Sequence, residues 1–226
     1  RRRHRAEQLD NLYIFKNTEG APENIRKFHP NIIVSSTGSA PLLPPIAGLK
    51  DRIDNEKHNI YSILGMISHI NDFPKDLEGK KVVVVGGGAV GLDVVEFFAD
   101  RNADISIVEM MDQIGRDLDP VSKNDTKTMM KKHNVHQLTK TALLEVKDSS
   151  FLVRGDGEPY ELPFEYGFVC LGMRAQGQLY QNLTEEFSSE DVEIMNIGDS
   201  QRARRIIDGT QEGRNILTIL EQKGYL

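Results

Sequence analysis

The chain has 226 residues, 38% hydrophobic and 27% charged, enough for one large core or two modest ones and typical of a soluble globular protein. No apolar run approaches the ~20 residues of a membrane span, the formal net charge of -6 argues against general nucleic-acid affinity, and the basic start lacks the apolar stretch of a secretory signal, so a cytoplasmic location is expected. The single cysteine, Cys170, excludes an internal disulfide, a CxxC redox pair and a cysteine-ligated cluster within the chain, and reads as a buried strand residue.

In chain order, the basic stretch at residues 1–5 (RRRHR) reads as a solvated helix face, as does the later cluster Arg202, Arg204 and Arg205. Residues 6–11 carry the end of a charged helix, residues 12–15 a short strand, and residues 22–28 a short helix with Pro22 in its first turn. An apolar strand over residues 31–35 runs into Ser36-Thr37-Gly38-Ser39-Ala40-Pro41. Pro41, Pro44 and Pro45 stiffen residues 41–48 into an extended crossover that marks a domain boundary. Residues 59–70 place Ile60, Ile63, Leu64 and Ile67 at helical spacing, and residues 72–80 are a polar approach to the next strand.

Residues 80–109 (KKVVVVGGGAVGLDVVEFFADRNADISIVE) organise the rest. Val82, Val83, Val84 and Val85 form a β-branched run suited to a parallel strand buried on both faces. Gly86-Gly87-Gly88-Ala89-Val90-Gly91 follows at once, giving GxGxxG between a strand and a helix. Gly86 permits the tight turn, Gly88 lacks a Cβ that would hold a phosphate away, and Gly91 lets the helix pack closely. The helix, residues 89–101, presents free N-terminal amides and a favourable dipole to an anion. A second strand, residues 105–108, ends at Glu109, 18 residues beyond Gly91. A carboxylate there accepts hydrogen bonds from ribose hydroxyls and repels a 2′-phosphate, so NADH is expected over NADPH. Arg116 on the same rim reads as a solvated loop residue, with a phosphate contact as the alternative.

Beyond the acid, Asp119-Pro120 supplies an N-cap and first-turn proline for a helix over residues 120–132, and Asp117 is likewise read as a capping residue. His133 and His136 have the spacing of a metal pair but no third ligand nearby, so no metal site is expected. Short strands follow at residues 142–146, 151–154 and 160–162, with a hairpin signal at Asp156-Gly157. A buried strand spans residues 167–171 and ends at Gly172-Met173-Arg174. After a polar interval, residues 193–197 form a last strand ending in Gly198-Asp199-Ser200, and residues 206–220 a closing helix. No side chain stands out as a general acid or base, and the absence of GxSxG removes a hydrolase elbow.

The motifs STGSAPLLPPIAG, VVVVGGGAVG, VCLGMRA and NIGDS resemble, in sequence and order, the pyridine nucleotide-disulfide oxidoreductase superfamily. EMMDQIGRDLDP and ARRIIDGTQEGRNI are similar to the C-terminal region of the fused enzymes typified by 2,4-dienoyl-CoA reductase, 2-enoate reductase and trimethylamine dehydrogenase. The resemblance implies an α/β fold: a Rossmann-like NAD(P)-binding domain, residues 77–160, inserted into an incomplete FAD-binding domain made of residues 1–76 and 161–226. It implies that Gly86, Gly87, Gly88, Ala89, Val90, Gly91 and Glu109 hold NADH, with Gly172 facing its nicotinamide end. Thr37, Gly38, Gly198 and Asp199 would meet FAD. Ser36, Ala175 and Ser200 depart from the family's usual residues. No first GxGxxG unit for FAD precedes Ala6, so the chain is expected to be a fragment, inactive alone, that binds FAD weakly or not at all. FMN, a 4Fe-4S cluster and the barrel and cluster domains that hold them are expected only in the absent part of the parent. The leading expectation is NADH:flavin oxidoreduction by the complete parent. The alternatives are a non-catalytic nucleotide-binding or electron-transfer scaffold and, more remotely, a methyltransferase.

Overall fold

The computed structural model describes residues 9–225; the readings made for residues 1–8 lie outside them. The elements in chain order are α1 (Pro22–Arg26), β1 (Ile32–Ser35), β2 (Ser39–Pro41), α2 (Leu49–Arg52), β3 (Ile60–Tyr61), α3 (Ile63–Ser68), β4 (Lys81–Val85), α4 (Ala89–Ala99) and β5 (Asp104–Val108). There follow α5 (Pro120–Lys132), β6 (His136–Leu138), β7 (Ala142–Val146), β8 (Ser150–Arg154), β9 (Tyr160–Pro163), β10 (Tyr166–Val169), β11 (Met173–Ala175), α6 (Gln178–Glu186), β12 (Glu193–Asn196), a 3-10 turn (Gly198–Ser200) and α7 (Ile206–Gln222). The chain divides into two units, one of residues 9–39 with 175–225 and the other Ala40–Arg174. The boundaries expected from sequence, at 76/77 and 160/161, lie inside the second.

The second unit is built on the valine run. β4 is central in a five-stranded parallel sheet of order β3-β10-β4-β5-β6, and its four valines are at most 3% exposed. Burial on both faces follows from two covering layers. On one face α4 lays Val94, Val95 and Phe98 against Val82, Val84 and Phe168. On the other, the antiparallel meander β7-β8-β9 packs Val146, Phe151 and Val153 against Val83, Val85 and Val169. Residues 40–76 belong here because Ile60 pairs with Gly167 and Leu49 is fully buried in that second core.

In the first unit, β1 and β12 pair in parallel from Ile32↔Glu193 to Ser35↔Asn196. Ile33, Leu183 and Phe187 form its small core.

Several sequence expectations change. Residues 12–15 form no strand; Leu12, Tyr13, Ile14 and Phe15 are 43 to 78% exposed, because β propensity yields a strand only where a partner edge exists. Residues 59–70 split, since Ser62 caps a helix by accepting the Gly65 N–H and Ile60–Tyr61 pairs in the sheet instead. The polar interval after Arg174 contains α6, and β10 joins the sheet of β4.

Candidate functional site

The turn after β4 is held by two backbone packing constraints. Gly86 has φ +108°, and a Cβ there would stand 2.1 Å from the Cys170 carbonyl oxygen; at Gly91 a Cβ would stand 1.9 Å from the Gly86 carbonyl oxygen. These two glycines therefore serve the close approach of backbone to backbone. Gly88 differs: its φ is -79° and a Cβ would meet no atom within 4 Å. It is the N-cap of α4 and has no side-chain cap, and the first intrahelical bond runs from the Leu92 N–H to its carbonyl. The amides of Ala89, Val90 and Gly91 thus precede the helical ladder, where partial positive charge gathers.

Glu109 leaves the tip of β5 with its carboxylate turned back toward this loop. Oε2 accepts the Gly87 N–H at 2.7 Å and Oε1 accepts the Met111 N–H at 2.8 Å. A carboxylate has about four acceptor positions, so each oxygen keeps capacity for a further donor.

Loop and acid line a groove of about 610 Å³ together with Leu42, Pro44, Ile46, Leu143 and Leu171. Gly172, φ +105°, also lines it, with no atom within 4 Å of a would-be Cβ. Among the described residues, no lysine or arginine lines this groove. Cys170 lines it too, and burial pushes its thiol up to about 12, with the Asp93 carboxylate adding to the effect. The apolar part of this lining was not foreseen from sequence. Its signal was the apolar run PLLPPI in a segment read only as stiff.

Arg116 is exposed in the loop after β5. Asp119 caps α5, accepting the Val121 and Ser122 N–H groups. His133 is the C-cap of α5, and His136 lies 3.5 Å from the Asp104 carboxylate.

In the first unit, Thr37, Gly38, Gly198 and Asp199 all follow the C-terminal ends of the paired strands β1 and β12, where ligands gather in parallel α/β sheets. Among the described residues, nothing lies within 4 Å of a would-be Cβ at Gly38 (φ +77°) or Gly198 (φ +66°), and the buried Ser35 hydroxyl has no partner. Other groups there are already engaged. Thr37 Oγ1 donates to the Gln176 carbonyl at 2.6 Å. The Gly198 N–H donates to Glu212 at 2.6 Å, and Asp199 accepts from the Ser39 hydroxyl and the Arg204 N–H. The Arg204 guanidinium, and after it the Gly198 amide, hold the Glu212 carboxyl below its usual range.

The family model for "Pyridine nucleotide-disulphide oxidoreductase" matches residues 10–195. An NADH oxidase of Thermoanaerobacter brockii is 26% identical over 192 residues, covering 84% of this chain and 28% of that protein. A metal reductase of Desulforamulus reducens is 26% identical over 234 residues, covering 88% and 32%. The solved 2-naphthoyl-CoA reductase complex superposes with a TM-score of 0.72 at 22% identity, over 87% of this chain and 28% of that one, a likeness of fold. The chain therefore spans about a third or less of the length of these proteins. No helix among the described residues is long and apolar enough to cross a membrane.

Proposed function

The chain belongs to the pyridine nucleotide-disulphide oxidoreductase family, and from that premise we propose that it binds NADH in the groove between Gly88 and Glu109 and, in a complete parent, presents it to FAD. The family binds nicotinamide dinucleotide and flavin, so oxidoreduction of this general kind is the frame. The observation that carries the reading is Gly88: an uncovered helix N-terminus with no side chain between its amides and the groove. The pyrophosphate is assigned to the amides of residues 88–91, which offer donors and positive potential. The spare lone pairs of Glu109 are assigned to the adenosine ribose, and Gly172 to the nicotinamide end.

Bound NADH would supply a hydride for FAD in the complete parent; the chain's own groups would hold and orient it and exclude water. The apolar side chains of Leu42, Pro44, Ile46 and Leu143 would lower the local dielectric around a bound dinucleotide. NADPH is disfavoured because its 2′-phosphate would meet the Glu109 carboxylate with no cation lining the groove. For FAD, Gly38, Gly198 and the unpartnered Ser35 hydroxyl fit a group laid across the ends of β1 and β12. Asp199 and the Gly198 amide fit less well, being engaged already. We therefore assign the chain weak FAD affinity by itself and no turnover alone, with FMN and a 4Fe-4S cluster belonging to further domains of the parent.

A nucleotide-binding scaffold without hydride transfer is the second reading. One observation favours it: both Glu109 oxygens already accept backbone amides. Bleaching of the flavin by NADH in the complete parent separates the two readings, and titration of the chain with NADH and NADPH, followed by nucleotide fluorescence or heat, tests the site they share. Saturable NADH binding at least about tenfold tighter than NADPH is expected; absence of saturation by both removes the proposed site.

A further inference from the structure

The seven methionines of the chain are unevenly placed. Met66 and Met130 are 4% and 3% exposed, and Met129, Met173 and Met195 are half-buried. Met110 and Met111 alone are exposed, at 69% and 39%, and they are adjacent. Both line the groove, directly after Glu109, and the Met111 amide is one of the two donors that hold the Glu109 carboxylate. They supply flexible apolar surface at the end of the groove assigned to adenosine.

We propose that Met110 and Met111 form a peroxide-sensitive rim, at which oxidation to methionine sulfoxide weakens dinucleotide binding. This rests on the groove being the NADH site. In the step, a sulfur lone pair attacks one oxygen of hydrogen peroxide, the O–O bond breaks and an S–O bond forms. The departing oxygen leaves as water with both protons. Sulfur is oxidised by two electrons and peroxide is reduced by two.

Two features direct the chemistry to this rim. The other five thioethers are covered in whole or part, and susceptibility follows exposure. The nearby competing sulfur, Cys170, is 7% exposed and held as the neutral thiol, the poorly nucleophilic form. The product matters because of where it forms: a sulfoxide is polar and chiral, and it replaces apolar surface beside the ribose acid. A dinucleotide bound over the rim would strip water from that oxygen without supplying the Met111 N–H, which is already given to Glu109.

The test treats the intact chain with hydrogen peroxide, maps sulfoxide by peptide mass, and measures the NADH dissociation constant before and after. Expected are sulfoxides at Met110 and Met111 ahead of the other five, and a dissociation constant raised about three- to tenfold. Methionine sulfoxide reductases with a dithiol should restore it. In a Met110→Leu/Met111→Leu chain, the ratio of the constants with and without peroxide should fall to about one. Oxidation first at other methionines, or selective oxidation with an unchanged constant, overturns the rim and leaves the NADH site standing. Failure of the untreated chain to saturate with NADH overturns both.

Discussion

Gly88 and Gly91 lie three residues apart in one motif, yet the structure gives them opposite jobs, and exchanging each for alanine separates ligand contact from packing. In Gly88→Ala the new Cβ meets no atom within 4 Å and φ is an ordinary -79°. The change from Gly to Ala at an N-cap costs on the order of 0.5 kcal/mol, and the loss of unfolded-chain freedom returns about 0.4 to 1 kcal/mol. Folding stability should therefore move by less than about 0.5 kcal/mol, or under about 2 °C in Tm. NADH binding should fall sharply, because a methyl now stands between the phosphates and the helix amides. Loss of one hydrogen bond to a charged group, about 1.5 to 3 kcal/mol, is about ten- to a hundredfold in Kd. In Gly91→Ala the Cβ would sit 1.9 Å from a backbone oxygen, and forcing turn and helix apart costs about 1 to 3 kcal/mol, some 2 to 12 °C at this size. The assay is thermal unfolding followed by an NADH fluorescence titration of each folded variant. A folded Gly88→Ala chain that binds NADH as tightly as its parent would refute the assignment of the pyrophosphate.

The other predictions concern single groups. Glu109→Gln places an amide NH₂ against either the Gly87 or the Met111 N–H, so stability should fall by about 1 to 2 kcal/mol and the preference for NADH over NADPH should shrink at least about fivefold, read by paired titrations. Gly167→Ala puts a Cβ 2.7 Å from both Phe151 Cζ and Phe164 Cζ and should cost about 1 to 3 kcal/mol in thermal unfolding. Cys170 should resist alkylation at pH 8 in the folded chain and react on unfolding, since its thiol lies far above that pH. Its folded pKa lies above the 9.0 of a free thiol, so the folded state holds the proton more tightly. Its contribution to stability is intact below about pH 9 and declines as pH rises toward 12, an alkaline slope that Cys170→Ala should remove.

What the sequence made legible was local structure confined to neighbouring residues. The valine run, the glycines, Glu109 at the next strand tip and Asp119-Pro120 at the start of α5 each act through a few adjacent atoms, and all stand where local rules put them. The residues 12–15 mislead because their β-branched and aromatic side chains signal a strand while nothing among the described residues pairs with them. β6 is three residues of mixed polarity, too short for a periodic pattern. α6 hides Leu179 and Leu183, with Phe187 at its C-cap, among glutamines and glutamates, so its apolar stripe is narrow. The membership of β10 in the sheet of β4 depends on pairing Val82 with Tyr166, a relation between distant segments. For the same reason the meeting of Leu42, Leu143 and Leu171 around one groove could not be read from any one of the three stretches that supply them.

The segment Ala40–Arg174 ends beside where it begins: β2 and β11 pair, and the Leu42 N–H donates to the Gly172 carbonyl at 2.9 Å. A polypeptide whose two ends are stitched together behaves as a cassette, because it can be spliced into a host loop without stretching either. Such a graft needs only a short gap in its recipient, which makes this half of the chain portable material for recombination and for building chimeras.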